Sequence, residues 1–168
     1  TVLEVGLGGR LDSTNVCLPE LAIITSISRD HTRQLGSRLE DIAKEKAGIV
    51  KPGIPVISGV TSPPARKAIA AICESRKAPL RELNQDFSYH CCEPHAFKTT
   101  QLQDMVKNSR PSLGSKTFIT EFDVKTWKNQ WTGLQVPLLG SHQAANAAVA
   151  VAAIETLQEN TGTFLKYH

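Results

Sequence analysis

Short apolar runs closed by turn residues alternate along this chain with stretches of helical period. Val2-Leu3-Glu4-Val5 is closed by Gly6, Gly8 and Gly9 and predicts a first strand. Leu21 to Ile27 predicts a second strand, of the buried type. Ser37 and Glu40 have capping-box spacing, so a helix is expected from there to about Gly48, stopped by Lys51-Pro52-Gly53. Its apolar stripe is Leu39, Ile42, Ala43, Ala47 and Val50. Pro55 to Gly59 predicts a third strand, and Ser62-Pro63 opens a helix with Ala65, Ala68, Ile69, Ile72 and Cys73 on one face. Strands alternating with helices point to parallel βαβ units with right-handed crossovers. Residues 84–116 show no period and are expected to form an irregular insertion. Phe118 to Val124 and Thr132 to Leu139 then predict an antiparallel hairpin, and Ser141 caps an alanine-rich helix from His142 to about Gln158.

Composition changes this picture little. A content of 40% hydrophobic and 21% charged residues is that of an ordinary globular domain with a real core. The net charge of +3 leans weakly toward anionic partners. The basic residues are scattered rather than clustered, which argues against nucleic acid. No apolar run is long enough to span a bilayer. Four cysteines without a disulfide-framework spacing suit a reducing, cytoplasmic compartment. Thr1 leads straight into the first apolar run, with no initiator methionine or targeting segment, so a truncated start is expected.

Three residues stand out for chemistry. Glu4 interrupts an apolar run just before the glycines, and His31 follows the second strand in the same way. Ligands of open parallel sheets gather beyond the carboxyl ends of the strands, so both would face one crevice. There Glu4 is either a ligand for Mg²⁺ beside nucleotide phosphates or the partner of an arginine such as Arg10. Lys46 lies seven residues after Leu39, inside the predicted apolar stripe. It is either a desolvated, reactive amine or a lysine that carries its charge out to the surface. The run Gly6-Leu7-Gly8-Gly9 fails as a dinucleotide fingerprint, because the third glycine would fall at Leu11. His90, Cys91, Cys92 and His95 lack zinc-site spacing. Trp127 and Trp131 flank a turn and suit hairpin packing.

Taken together, Glu4-Val-Gly-Leu-Gly-Gly-Arg-Leu-Asp-Ser-Thr-Asn15, Thr25 to Thr32 with Leu35-Gly36, and Glu45-Lys-Ala-Gly-Ile-Val-Lys-Pro-Gly53 resemble the folylpolyglutamate synthase / dihydrofolate synthase family of the wider Mur ligase superfamily. Leu139-Gly-Ser-His-Gln-Ala-Ala-Asn-Ala-Ala148 resembles the helix that closes that family's ATP-binding domain. The resemblance covers most of residues 1–60 and 136–157. Arg29 departs from it, standing where most relatives carry an uncharged residue, and residues 84–116 match nothing in it.

The resemblance implies an α/β fold: part of a three-layer P-loop-type domain with a mainly parallel sheet and a small antiparallel hairpin. Residues 1–158 would be a partial ATP-binding central domain, and 159–168 a tail leading toward a C-terminal domain. The implied activity is an ATP-dependent ligation of L-glutamate to a folate or dihydropteroate carboxylate through an acyl phosphate. Glu4, His31 and a carbamylated, metal-bridging Lys46 would hold Mg²⁺ at two sites. Asp12 would help to bind the pterin, and Asn146 with His142 the nucleotide. The expected partners are ATP, L-glutamate and the folate or dihydropteroate acceptor, bound by a monomer with no nucleic acid or membrane. The family's phosphate-cradling G-T-N-G-K-G-S loop and its glutamate-binding domain are not in these 168 residues, which alone are expected to be inactive.

Overall fold

The computed structural model describes residues 1–28, 38–91, 95–96, 118–138 and 140–161. These fall into two compact units, residues 1–87 with 149–168 and residues 88–148. Among the described residues no helix is long and apolar enough to cross a membrane.

The first unit is built on a parallel sheet of β1 (Ala22–Ile24), β2 (Val56–Ser58) and β3 (Leu80–Glu82), in the order β1-β2-β3. Helix α1 (Leu39–Lys46) lies between β1 and β2 in sequence, and α2 (Pro63–Ser75) between β2 and β3. All three residues of the central strand β2 are buried. Val56 joins Ala43, Ala47, Val50, Ala65, Ile69 and Cys73 in one core, so α1 and α2 cover its side of the sheet. Leu80 packs on that same core, so alternation along β3 sends Arg81 to the opposite face. There Arg81 bonds Thr156 (3.2 Å) and Glu159 (2.7 Å) of the helix α3 (Ser141–Thr161). The expected three-layer arrangement is therefore present in this unit. Burial pushes the Cys73 thiol up to about 11, which makes it a packing group rather than a nucleophile.

The second unit is antiparallel. Its central strand β6 (Phe118–Lys125) pairs with β4 (Ser88–Cys91), β5 (His95–Ala96) and β7 (Gln130–Val136). Phe122 faces Cys91 on one edge and Leu134 on the other. Thr120 is buried because its hydroxyl donates to the carbonyl of Leu138 (2.7 Å) and accepts from the amide of Gly140 (3.2 Å). Trp131 stands opposite Val124 beside the turn, a packing position in the hairpin.

Several sequence expectations are corrected. Val2 to Val5 form no strand: Val2 and Leu3 are exposed, and a lone extended run without a ladder partner or covered face gains nothing from strand geometry. The second strand is only three residues long. Strand β3 was not foreseen, because Leu80-Arg81-Glu82 carries two charges. Helix α1 begins at Leu39 with Arg38 at its N-cap and no side-chain cap, while Glu40 pairs with Arg38 at 2.8 Å. Ser37, the expected cap, lies outside the described residues. The supposed irregular insertion contributes β4 and β5, so the hairpin is the heart of a four-stranded sheet. Residues 92–94 and 97–116 of that stretch lie outside the described residues. Helix α3 runs on to Thr161.

Candidate active-site loop and its partners

Gly6 to Val16 form a loop that ends in a 3-10 turn, Ser13–Val16. Asp12 organises it. One carboxylate oxygen accepts from the amides of Gly6 (3.0 Å) and Leu7 (3.2 Å). The other accepts from the Thr14 amide (2.9 Å) and the Thr14 hydroxyl (2.6 Å), capping the turn. Four donors fill what a carboxylate can usually accept. They hold Asp12 well below the ordinary carboxylate range, at about 2, with the Thr14 hydroxyl as the largest cause.

The loop is locked to the end of α1. The Arg10 amide donates to the Glu45 carbonyl (3.0 Å), and the Arg10 guanidinium pairs with the Glu45 carboxylate (3.0 Å). The Asn15 carboxamide donates to the carbonyls of Arg10 (2.9 Å) and Gly48 (3.4 Å), and the Lys51 ammonium donates to the Asn15 carbonyl (2.7 Å). Two glycines make this approach possible. A Cβ on Gly9, whose φ is +150°, would lie 2.9 Å from Ile49 and 3.0 Å from the Lys46 carbonyl. A Cβ on Gly48 would lie 2.4 Å from the Cβ of Arg10.

Glu4 is exposed rather than buried in a strand. The arginine proposed as its alternative partner, Arg10, is paired with Glu45 instead. Among the described residues, the Glu4 carboxylate has no hydrogen-bond partner. Lys46 is half-buried and not at the centre of the stripe. That centre belongs to Ile42, Ala43 and Ala47; Leu39 and Lys46 lie along its margin, and the chain tightens to a 3-10 turn at Ala47. The Lys46 backbone nevertheless touches Gly9, so the lysine's turn and the glycine loop form one packed element. His31 lies outside the described residues. No group of three or more metal-ligating side chains occurs among the described residues. His142 and Asn146 are both exposed and stand one helical turn apart at the start of α3.

A groove of about 310 Å³ lined by Pro63, Arg66, Lys67, Ala70, Glu82 and Gln85 contains none of these residues. Its Arg66 is engaged by Glu82 at 2.9 Å. Sequence reasoning missed Thr14 and Asn15 as structural partners. The available signal was the Asp-x-Thr spacing ahead of a turn, which is the pattern of an Asx-type cap.

The sequence profile of the Mur ligase middle domain matches residues 1–154. The chain is 36% identical over 158 residues to a dihydrofolate synthase/folylpolyglutamate synthase of Bacillus subtilis, which covers 94% of this chain and 32% of that protein. It is 31% identical over 160 residues to a folylpolyglutamate synthase of Lacticaseibacillus casei, covering 95% of this chain and 32% of the relative. It therefore spans about a third of the length of these curated relatives. Among solved structures, an FPGS–AMPPCP–folate complex superposes with a TM-score of 0.80 at 29% identity, over 98% of this chain and 35% of the other. With its three-layer parallel unit and a profile match over nearly its whole length, this chain belongs to the Mur ligase middle-domain family.

Proposed function

We propose that this chain is the central, ATP-handling part of a ligase that joins L-glutamate to the carboxylate of a folate or dihydropteroate. The observation that carries the reading is the Mur-ligase match over residues 1–154, together with relatives named for that reaction. The acceptor carboxylate attacks the γ-phosphorus of ATP, releasing ADP and leaving an acyl phosphate. The glutamate amine then attacks the acyl carbon, phosphate departs, and the amine gives up a proton as the amide forms. Such chemistry depends chiefly on orientation and on neutralising phosphoryl charge.

We assign Glu4, His31 and Lys46 to Mg²⁺ at two sites. When bound, the metal would neutralise charge on the transferred phosphoryl group. An exposed Glu4 carboxylate with no partner among the described residues is the hard oxygen donor that Mg²⁺ takes. Lys46 is assigned as a carbamate: the uncharged amine would add to CO₂ and lose a proton, replacing a cation with oxygen donors. We assign His142 and Asn146 to binding of the nucleotide and Asp12 to binding of the acceptor. A monomer in the cytoplasm belongs to the same reading, and the thiols of exposed Cys17 and buried Cys73 suit a reducing compartment.

The test uses the natural full-length protein with ATP, Mg²⁺, L-glutamate and either dihydropteroate or a reduced folate. Glutamylated product and stoichiometric phosphate are expected. Lys46→Arg keeps a positive charge but cannot form the equivalent carbamate. It should fold and lose at least about 100-fold in kcat. Parental activity should fall in CO₂-depleted buffer and return with bicarbonate. An active Lys46→Arg protein would remove the carbamate, and turnover only with UDP-linked peptide acceptors would move the chain to another Mur-type reaction.

A further inference from the structure

We propose that Arg76, at the end of α2, is a positioning residue for Lys46: its guanidinium grips the turn that follows the lysine and so fixes where the Lys46 amine stands. The inference rests on the carbamate reading of Lys46 for its chemical arm and on hydrogen bonds alone for its structural arm.

Lys46 is the last residue of α1, and the chain then tightens into the 3-10 turn Ala47–Ile49. The Val50 amide closes that turn on the Ala47 carbonyl (3.1 Å). So short a turn gains too little from its own bonding to keep one shape. Gly48 and Val50 are buried, so their carbonyls need partners. Arg76 supplies them: one guanidinium nitrogen donates to the Gly48 carbonyl (3.3 Å) and to the Val50 carbonyl. The arginine's own backbone is fixed in turn. Its amide donates to the carbonyls of Ile72 (3.1 Å) and Cys73 (3.2 Å), and its carbonyl accepts from the Gly53 amide (3.0 Å). Just beyond it Lys77 takes φ +52°, and the Ala78 amide returns to the Cys73 carbonyl (2.9 Å), closing α2 with a Schellman cap. Arg76 therefore holds the segment between Lys46 and β2 at two places, with its side chain near the start and its backbone near the end. Releasing the side chain frees the turn that begins at the residue after Lys46.

The test compares the natural full-length protein with Arg76→Met, which keeps an unbranched stem without donors, and Arg76→Lys, which keeps a charged donor but not the fork. Amide exchange is measured first, without ligands. Arg76→Met should speed exchange at Val50 about tenfold or more, with Ile57 of β2 still protected, and Arg76→Lys should do so less. In kinetics, Arg76→Met should lower kcat about tenfold or more, with the KM for ATP within about twofold of the parent. In CO₂-depleted buffer, the bicarbonate concentration that restores half of its activity should rise by a similar factor, and Arg76→Lys should fall between. An arginine with a merely structural role would loosen Val50 and Ile57 together and leave the bicarbonate requirement at its parental value. That result, or parental exchange at Val50 in Arg76→Met, overturns the proposal. If Arg76→Met does not fold, Arg76→Lys decides alone: parental exchange at Val50 overturns the proposal. A parent that turns over without bicarbonate refutes the carbamate, and one with no ligase activity refutes the ligase reading. In either case exchange at Val50 still decides whether Arg76 holds the turn.

Discussion

The parallel-sheet core and the glycine-rich loop belong to the same compact unit and are held by opposite means. In the core, Ile42, Val56, Ile57 and Ile69 have no exposure at all, and burying each stabilises by about 1.5–3 kcal/mol. In the loop, the 3-10 turn buries nothing, and Leu11 and Val16 are each more than four-fifths exposed. Shape there comes from one carboxylate, two carboxamide bonds, two close glycine contacts and a surface ion pair that is worth at most about 1 kcal/mol. Core contacts raise the free energy of global unfolding. Loop contacts raise the free energy of a local opening, and a chemical site needs the second kind of order.

The largest expected effect breaks the core and spares the loop. Ile69 sits at the centre of α2's buried face, and Ile69→Ala removes three carbon atoms where neighbours are already packed. A loss of about 2–5 kcal/mol in urea unfolding is expected, with the exchange pattern of Gly6, Leu7 and Thr14 relative to one another preserved. Selective loss of loop protection would show that the loop leans on the core, and the contrast between them would fail. Gly48→Ala is the converse, and smaller. Its new methyl meets the Cβ and Cα of Arg10 at 2.4 and 2.6 Å, neither of which is a flexible tip. About 1–3 kcal/mol of strain should appear as a broken Arg10–Glu45 backbone bond and faster exchange at Arg10. Parental exchange at Arg10 would mean that the contact is looser than the geometry states.

Much of the core was legible from period alone. Ala65, Ile69 and Cys73 of α2 and Val56 of β2 are buried as their spacing predicts, because burial of an amphipathic face is what that period encodes. Two elements escaped for physical reasons. Strand β3 carries Arg81 and Glu82, whose charges are satisfied by tertiary partners (Thr156 and Glu159 for the first, Arg66 for the second) that no local window contains. The Val2–Val5 run looks like a strand locally, yet a strand is a pairing and not a property of four residues. The candidate site was legible as a motif and illegible as a mechanism. The residues Gly9, Asp12, Asn15, Lys46 and Gly48 stand out in the sequence, but the contacts of Gly9 with Lys46 and of Asn15 with Gly48 join positions more than thirty apart along the chain. That Asp12 spends its carboxylate on its own loop follows only from distances.

The smallest effect sharpens the loop side of the comparison through pH. Asp12 is held at about 2 in the folded protein against an ordinary 3.8. A carboxylate whose folded value is depressed contributes stability above its unfolded value and loses it as pH falls through the folded one. The clasp of Asp12 on its own loop should therefore be complete above about pH 4 and open between there and pH 2. The group is open to solvent, so the change is local, read from the Asp12 carboxyl carbon shift and from the Gly6 and Leu7 amides rather than from a melting curve. Because the Thr14 hydroxyl is the largest cause of the depression, Thr14→Val should raise the Asp12 midpoint toward 3.8, while Thr14→Ser leaves it low. The backbone amide of residue 14, then those of Leu7 and Gly6, continue to hold it partly down in the valine protein, so the midpoint should stop short of 3.8. A parental midpoint already near 3.8 would mean that the four donors do not act on this carboxylate in solution, and the loop would then owe its shape to Gly9, Gly48 and Asn15 alone.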